Sequence, residues 1–190
     1  MRHSLRAILL PLAVAVTATG CGYNTIQTKD EAVSSALAQV KVQLQRRADL
    51  IPNLVETVKG FAAQESQIFT DVAEARSRLA GAVASGTPQE MAEANAALNA
   101  PLGRLLAIVE AYPDLKSNQN FLDLQSQLEG TENRIAVSRQ DYNTIVEDYN
   151  GYIRRFPQVI TAKIFGHGER EYFDLTSPGA AEAPAVKFQQ

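Results

Sequence analysis

The sequence predicts an all-α protein, an antiparallel four-helix bundle with long helices and a short extended C-terminal tail. Three observations lead to this prediction. Apolar residues recur at spacings of three and four along four long stretches, capping residues and prolines separate these stretches, and no run of alternating apolar and polar residues indicates a strand. With 45% hydrophobic and 21% charged residues among 190, the composition is typical of a globular domain rather than a disordered chain.

The first two helices are predicted from capping signals. Thr28 and Glu31 have the spacing of a capping box, which predicts a first helix from there to about Arg47. Asp49 is expected to cap a second helix with Pro52 in its first turn, where a missing N–H is best tolerated. The alternative is a single kinked helix that runs through Pro52.

The second helix is predicted to keep its three-four spacing from Leu54 to Ala82 and to stop at Ser85-Gly86. A third helix opens at Thr87-Pro88-Gln89-Glu90, which combines a capping box with proline at the first helical position. Pro101 lies within this helix and is expected to kink it.

The fourth helix has the most regular pattern. It is predicted from Ser117 to Phe156, where Pro157 ends it, and its coiled-coil-like spacing is typical of helices that pack at about 20° in a bundle. The predicted core stripe comprises Phe121, Leu124, Leu128, Thr131, Ile135, Ser138, Tyr142, Ile145, Tyr149, Tyr152 and Phe156.

The first twenty residues have the pattern of an export signal. Arg2 and Arg6 precede an uncharged apolar run, Ala7 to Ala18, which is too short to span a bilayer as a helix. The run exits through Ala18-Thr19-Gly20-Cys21, which resembles the cleavage motif of bacterial lipoproteins, in which the cysteine is acylated, for example with palmitate. Cys21 is the only cysteine, so it is the predicted lipidation site and no internal disulfide can form.

These signals predict four regions: a signal peptide over 1–20, an acylated tether over 21–27, the helical bundle over 28–166, and an extended, partly mobile tail over 167–190. The mature chain is expected outside the cytoplasm, held at a bacterial membrane by lipid on Cys21. Gly22 is not the aspartate that retains such lipoproteins at the inner membrane, so the outer membrane is favoured where the cell has one.

Charge and residue types exclude several function classes. The formal charge of −3 gives no basic excess for nucleic acid. The only histidines are His3 and His167 and the only cysteine is Cys21, which leaves no pair of histidines for a metal site and no thiolate zinc cage. We therefore expect no metal, no cofactor and no nucleic-acid partner.

Three long strings resemble the LemA family closely. They are QRRADLIPNLVETVKGFAAQE (Gln45 to Glu65), EAYPDLKSNQNFLDLQSQLEGTENRIAVSRQDYN (Glu110 to Asn143) and YNGYIRRFP (Tyr149 to Pro157). The resemblance extends from about Tyr23 to Phe188 and implies a membrane-tethered, extracytoplasmic four-helix domain, without a settled biochemical activity. Members often have tryptophan where Leu37 stands and histidine where Gln64 stands, and the second difference puts any imidazole chemistry at that position in doubt.

Charged residues and one amide form the candidate site. Its members are Arg46, Arg47, Asp49 and Asn53 on the early helices, and Glu129, Glu132, Arg134 and Arg139 on the fourth helix. We favour a structural or interaction network that fixes helix register, because buried charges are usually paired. The alternative is a site for a carboxylate or phosphate ligand, which arginine forks bind in a bidentate manner.

The sequence thus favours an envelope lipoprotein whose helical domain is a non-enzymatic protein-interaction or scaffolding module, with envelope proteins of unknown identity as partners. The alternative function is a ligand-binding receptor or hydrolase that uses Arg46, Arg47 and Asp49 together with Glu129 and Glu132.

Overall fold

Helices form the regular structure of the chain. In a computed structural model, the backbone is described for residues 2–173 and side chains for residues 22–173. This part of the chain contains no strand, and the prediction of an all-α protein is confirmed. The helices are α1 Arg2–Lys59, α2 Ser66–Ser85, α3 Pro88–Val109, α4 Pro113–Lys116, α5 Gln119–Ile153 and α6 Gln158–Ile164. Within the described residues, none of these helices combines the length and apolar character that crossing a membrane requires.

Helix α1 is continuous where the sequence predicts two helices, so the predicted caps at Thr28 and Asp49 are wrong. Both residues lie inside α1 and bond within it: the Thr28 hydroxyl donates to the carbonyl of Asn24, and the Asp49 carboxylate accepts from Gln45. Such side chains can bond to a neighbouring turn as readily as they cap one, so their presence alone does not fix a helix boundary. Residues 22–27, the predicted tether, also belong to α1.

Pro52 lies within α1 and does not end it. Because proline has no N–H, the carbonyl four residues earlier, that of Ala48, loses its helical partner. Arg76 on α2 replaces this partner, with its Nε 2.8 Å from the Ala48 oxygen. The alternative of one helix running through Pro52 is therefore the one the structure has.

The helical structure is interrupted instead between α1 and α2, at residues 60–65, where the sequence pattern predicts a continuous helix. The three-four spacing continues across this segment, but Phe61 is 39% exposed, while neighbouring Ala62 is fully buried. The amides of Phe61 and Ala62 both donate to the Val58 carbonyl, which closes the last turn of α1. A periodic pattern can thus persist through a turn that reverses which side chains are buried.

The start of α3 is as predicted. The Glu90 amide donates to the Thr87 hydroxyl at 3.2 Å, and the Thr87 amide donates to the Glu90 carboxylate at 2.8 Å. This reciprocal capping box, with Pro88 at the first helical position, is confirmed. Helix α3 continues through Pro101, which is buried.

The predicted fourth helix is shorter than expected, because α5 ends at Ile153 and the separate helix α6 follows. The predicted core stripe is buried or half-buried along α5, but its last member, Phe156, is 81% exposed. Helix α6 ends at Ile164. Two residues later Gly166 has a φ of 75°, a conformation that glycine favours, and the His167 amide donates to the Ala162 carbonyl across this helix end.

The residues with described side chains form two compact units. One unit, which we call the terminal unit, takes residues 22–39 and 140–171, and the other, the central unit, takes residues 40–139 and 172–173. The core of the terminal unit comprises Ile26, Val33, Tyr142, Val146, Tyr149, Ile153 and Ala162. The core of the central unit includes Leu44, Leu54, Val72, Leu79, Met91, Leu98, Leu105 and Ile135. Each unit is described by itself below.

Candidate functional site

The guanidinium of Arg47 is the centre of a polar network in the central unit. Arg47 on α1 donates through Nη1 to the Asn95 side-chain oxygen at 2.5 Å and through Nη2 to that of Asn99 at 2.7 Å, both on α3. Its Nη1 also lies 2.7 Å from the Glu132 carboxylate on α5. One arginine therefore joins three helices.

Arg47 is 6% exposed, although arginine is rarely buried without partners. Burial removes water from the cation and lowers the pKa of Arg47, and the nearby Glu132 carboxylate opposes part of this shift. Even a lowered arginine pKa leaves the group charged near neutral pH. The cation is thus held by two amide oxygens and one carboxylate rather than by solvent.

Sequence reasoning missed the two asparagines of this network. Asn95 is buried at 4% exposure, and Asn99 lies four residues later on the same side of α3. The available signal was this pair of amides at helical spacing within the alanine- and leucine-rich stretch MAEANAALNAPL. A buried amide on an apolar helix face needs a partner, which would have indicated a polar group on a facing helix.

The structure places the other early members of the predicted cluster apart from Arg47. Arg46 and Asn53 are exposed, and the Asn53 carbonyl accepts from Thr57. Asp49 is bonded by Gln45, one turn earlier. The contacts of Asn53 and Asp49 are therefore hydrogen bonds between neighbouring turns of α1, and neither reaches Arg47.

The later members are also separate. Glu129 accepts from Gln125 on its own helix, and Arg134 is exposed. Arg139 stacks over the ring of Phe173 at 5.1 Å, and its buried Nε has no hydrogen-bond partner among the described residues. Of the eight residues predicted for the cluster, the described contacts therefore bring together Arg47 and Glu132.

A second polar network holds the chain after α6 in the terminal unit. We call residues 167–171 the strap. The Asn150 side chain on α5 accepts from the Arg170 amide at 2.8 Å and donates to the Arg170 carbonyl at 2.9 Å. One asparagine thereby satisfies both backbone groups of Arg170, as a neighbouring strand would.

The Arg170 side chain fixes the strap to α1. Its guanidinium binds the Asp30 carboxylate in a bidentate manner, with Nε–Oδ1 and Nη2–Oδ2 distances of 2.8 and 2.9 Å. The hydrogen bond to Asp30 raises the pKa of Arg170. Sequence reasoning missed this pair, because the two residues are 140 positions apart.

Two tyrosines of the predicted core stripe also bind the strap. The Tyr142 hydroxyl donates to the Glu171 carbonyl at 2.7 Å, and the Tyr149 hydroxyl donates to the Gly168 carbonyl at 3.2 Å. Burial raises the pKa of Tyr142 to about 12 and also raises the pKa of Tyr149. Both rings are buried, so these tyrosines combine core packing with a polar contact.

An open groove of about 690 Å³ runs along one side of α2 in the central unit. Phe69 is its buried aromatic floor, and the Lys59 ammonium lies 5.6 Å from the centre of that ring. The remaining lining is mostly small side chains: Ala63, Ser66, Thr70, Ala73 and Ser77, with Glu74 as the acidic member.

Sequence comparison with known proteins identifies the family of this chain. The LemA family model matches residues 36–188. The chain is 31% identical to magnetosome protein MamQ 2 of Paramagnetospirillum magneticum, over 93% of this chain and 74% of that protein. It is 29% identical to magnetosome protein MamQ of Magnetospirillum gryphiswaldense, over 87% and 69%, and 22% identical to protein LemA of Metamycoplasma hominis, over 70% and 60%.

The match therefore places the chain in a class of helical, membrane-associated proteins. The chain belongs to the LemA family.

Proposed function

We propose that this LemA family member is an extracytoplasmic lipoprotein, anchored to a bacterial membrane by acylated Cys21. Its helices, arranged as an antiparallel four-helix bundle, serve as a non-enzymatic interaction module for other envelope proteins. The basic, apolar and small-residue succession that ends at the sole cysteine supports the anchor. Family membership supports the association with a membrane.

The observation that carries the interaction role is the groove along α2. Small side chains on one face of α2 leave room in this groove. An amphipathic helix binds by laying its apolar face into a groove of this kind. Phe69 offers an apolar contact at the floor, and Lys59 and Glu74 offer charges of both signs at the walls. A helix of a partner protein fits this chemistry better than a small polar ligand does.

The Arg47 network supports the same proposal because it argues against the alternative, a ligand site at this arginine. The described hydrogen bonds and ion pair of its guanidinium are to Asn95, Asn99 and Glu132, all within the fold. An arginine that binds a ligand needs donors that the ligand can reach, whereas Arg47 is buried.

Site-specific photo-crosslinking in intact cells tests the interaction role. A photoreactive amino acid replaces Ala73 in the groove, and the matched control replaces Ala97, an exposed alanine on α3. We expect the Ala73 position alone to form a discrete adduct with an envelope protein. The substitution Ser77→Arg, which fills the groove, should remove that adduct. Identical adducts from both positions, or none from Ala73, would contradict the proposal.

The anchor is tested by Cys21→Ser in the full chain. Lipoprotein processing requires the cysteine, so the variant should accumulate as an uncleaved precursor or leave the membrane fraction after cleavage. Mass spectrometry of the wild-type chain should show lipid on Cys21. Normal cleavage together with unchanged membrane association in the variant would overturn this part of the proposal.

A further inference from the structure

Helix α6 is unusual because its two isoleucines face outward. Ile160 and Ile164, one turn apart, are 48% and 69% exposed, whereas Thr161 between them is buried. Phe156 before the helix is 81% exposed and Phe165 after it is 56% exposed. These four residues, which we call the α6 patch, lie within ten positions of sequence. Single exposed apolar residues are ordinary, but a local group of this kind indicates a contact surface.

The α6 patch lies beside the start of the described part of α1. A methyl group added to Gly22 would lie 3.9 Å from both the Gln158 and Thr161 side chains of α6. The ring of Tyr23 lies 4.5 Å from that of Phe165, centre to centre. Residues 22 and 23 follow Cys21 directly, so a lipid anchor at Cys21 would hold α6 at the bilayer.

The stretch of sequence that contains the patch has the positive charge that anionic lipids attract. One of its cations, Arg154, lies 4.0 Å from the carboxylate of Glu169, just beyond this stretch. From Gly151 to Gly168 the chain has Arg154, Arg155 and Lys163 and no acidic residue, although acidic residues outnumber basic ones in the whole sequence. All three cations are exposed. Apolar side chains that enter the boundary between headgroups and acyl chains, flanked by lysine or arginine, are typical of elements that lie on a membrane surface.

We propose that the α6 patch is a membrane-contact surface, which inserts Ile160, Ile164 and the flanking phenylalanines into the headgroup region of an anionic bilayer. The inference rests on the proposed anchoring at Cys21, which supplies the proximity. An anchor alone leaves a domain free to tumble, whereas an anchor and an adjacent apolar patch hold it in one orientation. Stable attachment commonly uses two such signals.

Depth-dependent fluorescence quenching tests the proposal with the full chain. The variant Ile164→Cys is labelled with a polarity-sensitive maleimide dye and reconstituted in vesicles of phosphatidylglycerol and phosphatidylethanolamine that contain a doxyl-labelled lipid. The matched control is Ser34→Cys, an exposed position of the same unit that lies about 18 Å further along α1 than Gly22 at the helical rise. We expect a blue shift and loss of emission for the dye at position 164 and neither at position 34. Equal quenching at the two positions would overturn the proposal.

Three further measurements separate the possible causes. Maleimide labelling of the wild-type chain tests whether Cys21 has a free thiol. A reactive thiol at Cys21 would contradict the anchor. The quenching comparison would then be made in a Cys21→Ser background. The variant Arg154→Gln/Arg155→Gln/Lys163→Gln should reduce the blue shift in anionic vesicles and leave it unchanged in neutral ones. Disulfide-linked dimers of unlabelled Ile164→Cys without lipid quenching would show that a second copy covers the patch, which overturns membrane contact.

Discussion

Arg76 Nε lies 2.8 Å from the carbonyl oxygen of Ala48, and this contact allows α1 to continue through Pro52. The carbonyl is the one that proline deprives of its helical donor. Arg76 thus supplies from α2 a bond that α1 cannot make for itself. The missing N–H of Pro52 and the side chain of Arg76 should therefore be energetically coupled, and the first prediction concerns this coupling.

Loss of Arg76 should cost more in the presence of Pro52 than in its absence. We expect Arg76→Met to lower the free energy of unfolding by about 1.5–3 kcal/mol, the usual range for a hydrogen bond from a charged donor. In a Pro52→Ala background the helix regains its own N–H, so the same change should cost less. Urea unfolding of the four proteins of this cycle measures the difference. An equal cost in both backgrounds would show that Arg76 does not compensate for the proline.

Arg47→Ala should destabilise the central unit strongly. It leaves the buried Asn95 oxygen without its donor and Glu132 without its ion pair. We expect a loss of about 2–4 kcal/mol, below that of a fully buried pair because the Glu132 side chain retains 47% exposure and can be hydrated. Thermal and urea unfolding measure it.

Arg46→Ala is the matched control for Arg47→Ala, since Arg46 is the exposed neighbour on the same helix. Its free energy of unfolding should remain within about 0.5 kcal/mol of the wild type. A stable Arg47→Ala protein would instead favour a ligand-binding role for Arg47, because functional residues are often retained at the expense of stability.

Stability should fall at alkaline pH through the buried tyrosines. The pKa of Tyr142 is about 12 in the folded protein, against about 10 for an unperturbed tyrosine. Its contribution is therefore fully present below about pH 10 and is lost as the pH rises toward 12, by roughly 2–3 kcal/mol. Tyr142→Phe should lower stability at pH 7, because the bond to the Glu171 carbonyl is lost, yet reduce the decline above pH 10. Urea unfolding between pH 7 and 11 tests this, and an unchanged alkaline slope would contradict it.

Asn150 should protect the strap from proteolysis. Asn150→Leu removes both hydrogen bonds to the Arg170 backbone, so trypsin should cleave after Arg170 faster than in the wild type. Thr144→Ala, an exposed change on the same helix, is the control and should leave the rate unchanged. Mass spectrometry of a digestion time course identifies the cleaved bond. Equal rates in Asn150→Leu and the wild type would show that Asn150 does not hold the strap.

Local chemistry made α3 predictable and left α1 unpredictable. The capping box at Thr87 uses residues within one turn, so its sequence suffices to locate the helix start. In α1, the Ala48 carbonyl that Pro52 leaves without its helical donor is bonded by Arg76, which is 28 positions after Ala48. Likewise, nothing in the spacing around Phe61 reveals that its side chain turns toward solvent, because periodicity reports a pattern and not a tertiary contact.

The candidate site was likewise predictable in part: some of its residues are indicated by the local sequence, and others are brought together only by the fold. Arg47 was identifiable because it extends the apolar face of its helix, and Glu132 because it is a carboxylate on a facing helix. The amides that complete the network lie on α3, and their role depends on how three helices meet. Asp30 and Arg170 are unremarkable surface charges in the sequence, and only the fold places them in contact.

The contact between Asp30 and Arg170 has a consequence for the order in which the protein is assembled. Residues 40–139 of the central unit are contiguous, so they can collapse as soon as they emerge from the ribosome. The terminal unit instead needs two stretches separated by that entire segment, and closure of so long a loop carries an entropy cost. The ion pair between Arg170 of the strap and Asp30 therefore forms late, after almost the whole described chain has emerged. A chain stalled or cut before Arg170 would retain residues 40–139, the contiguous part of the central unit, while leaving Asp30 without its counterion.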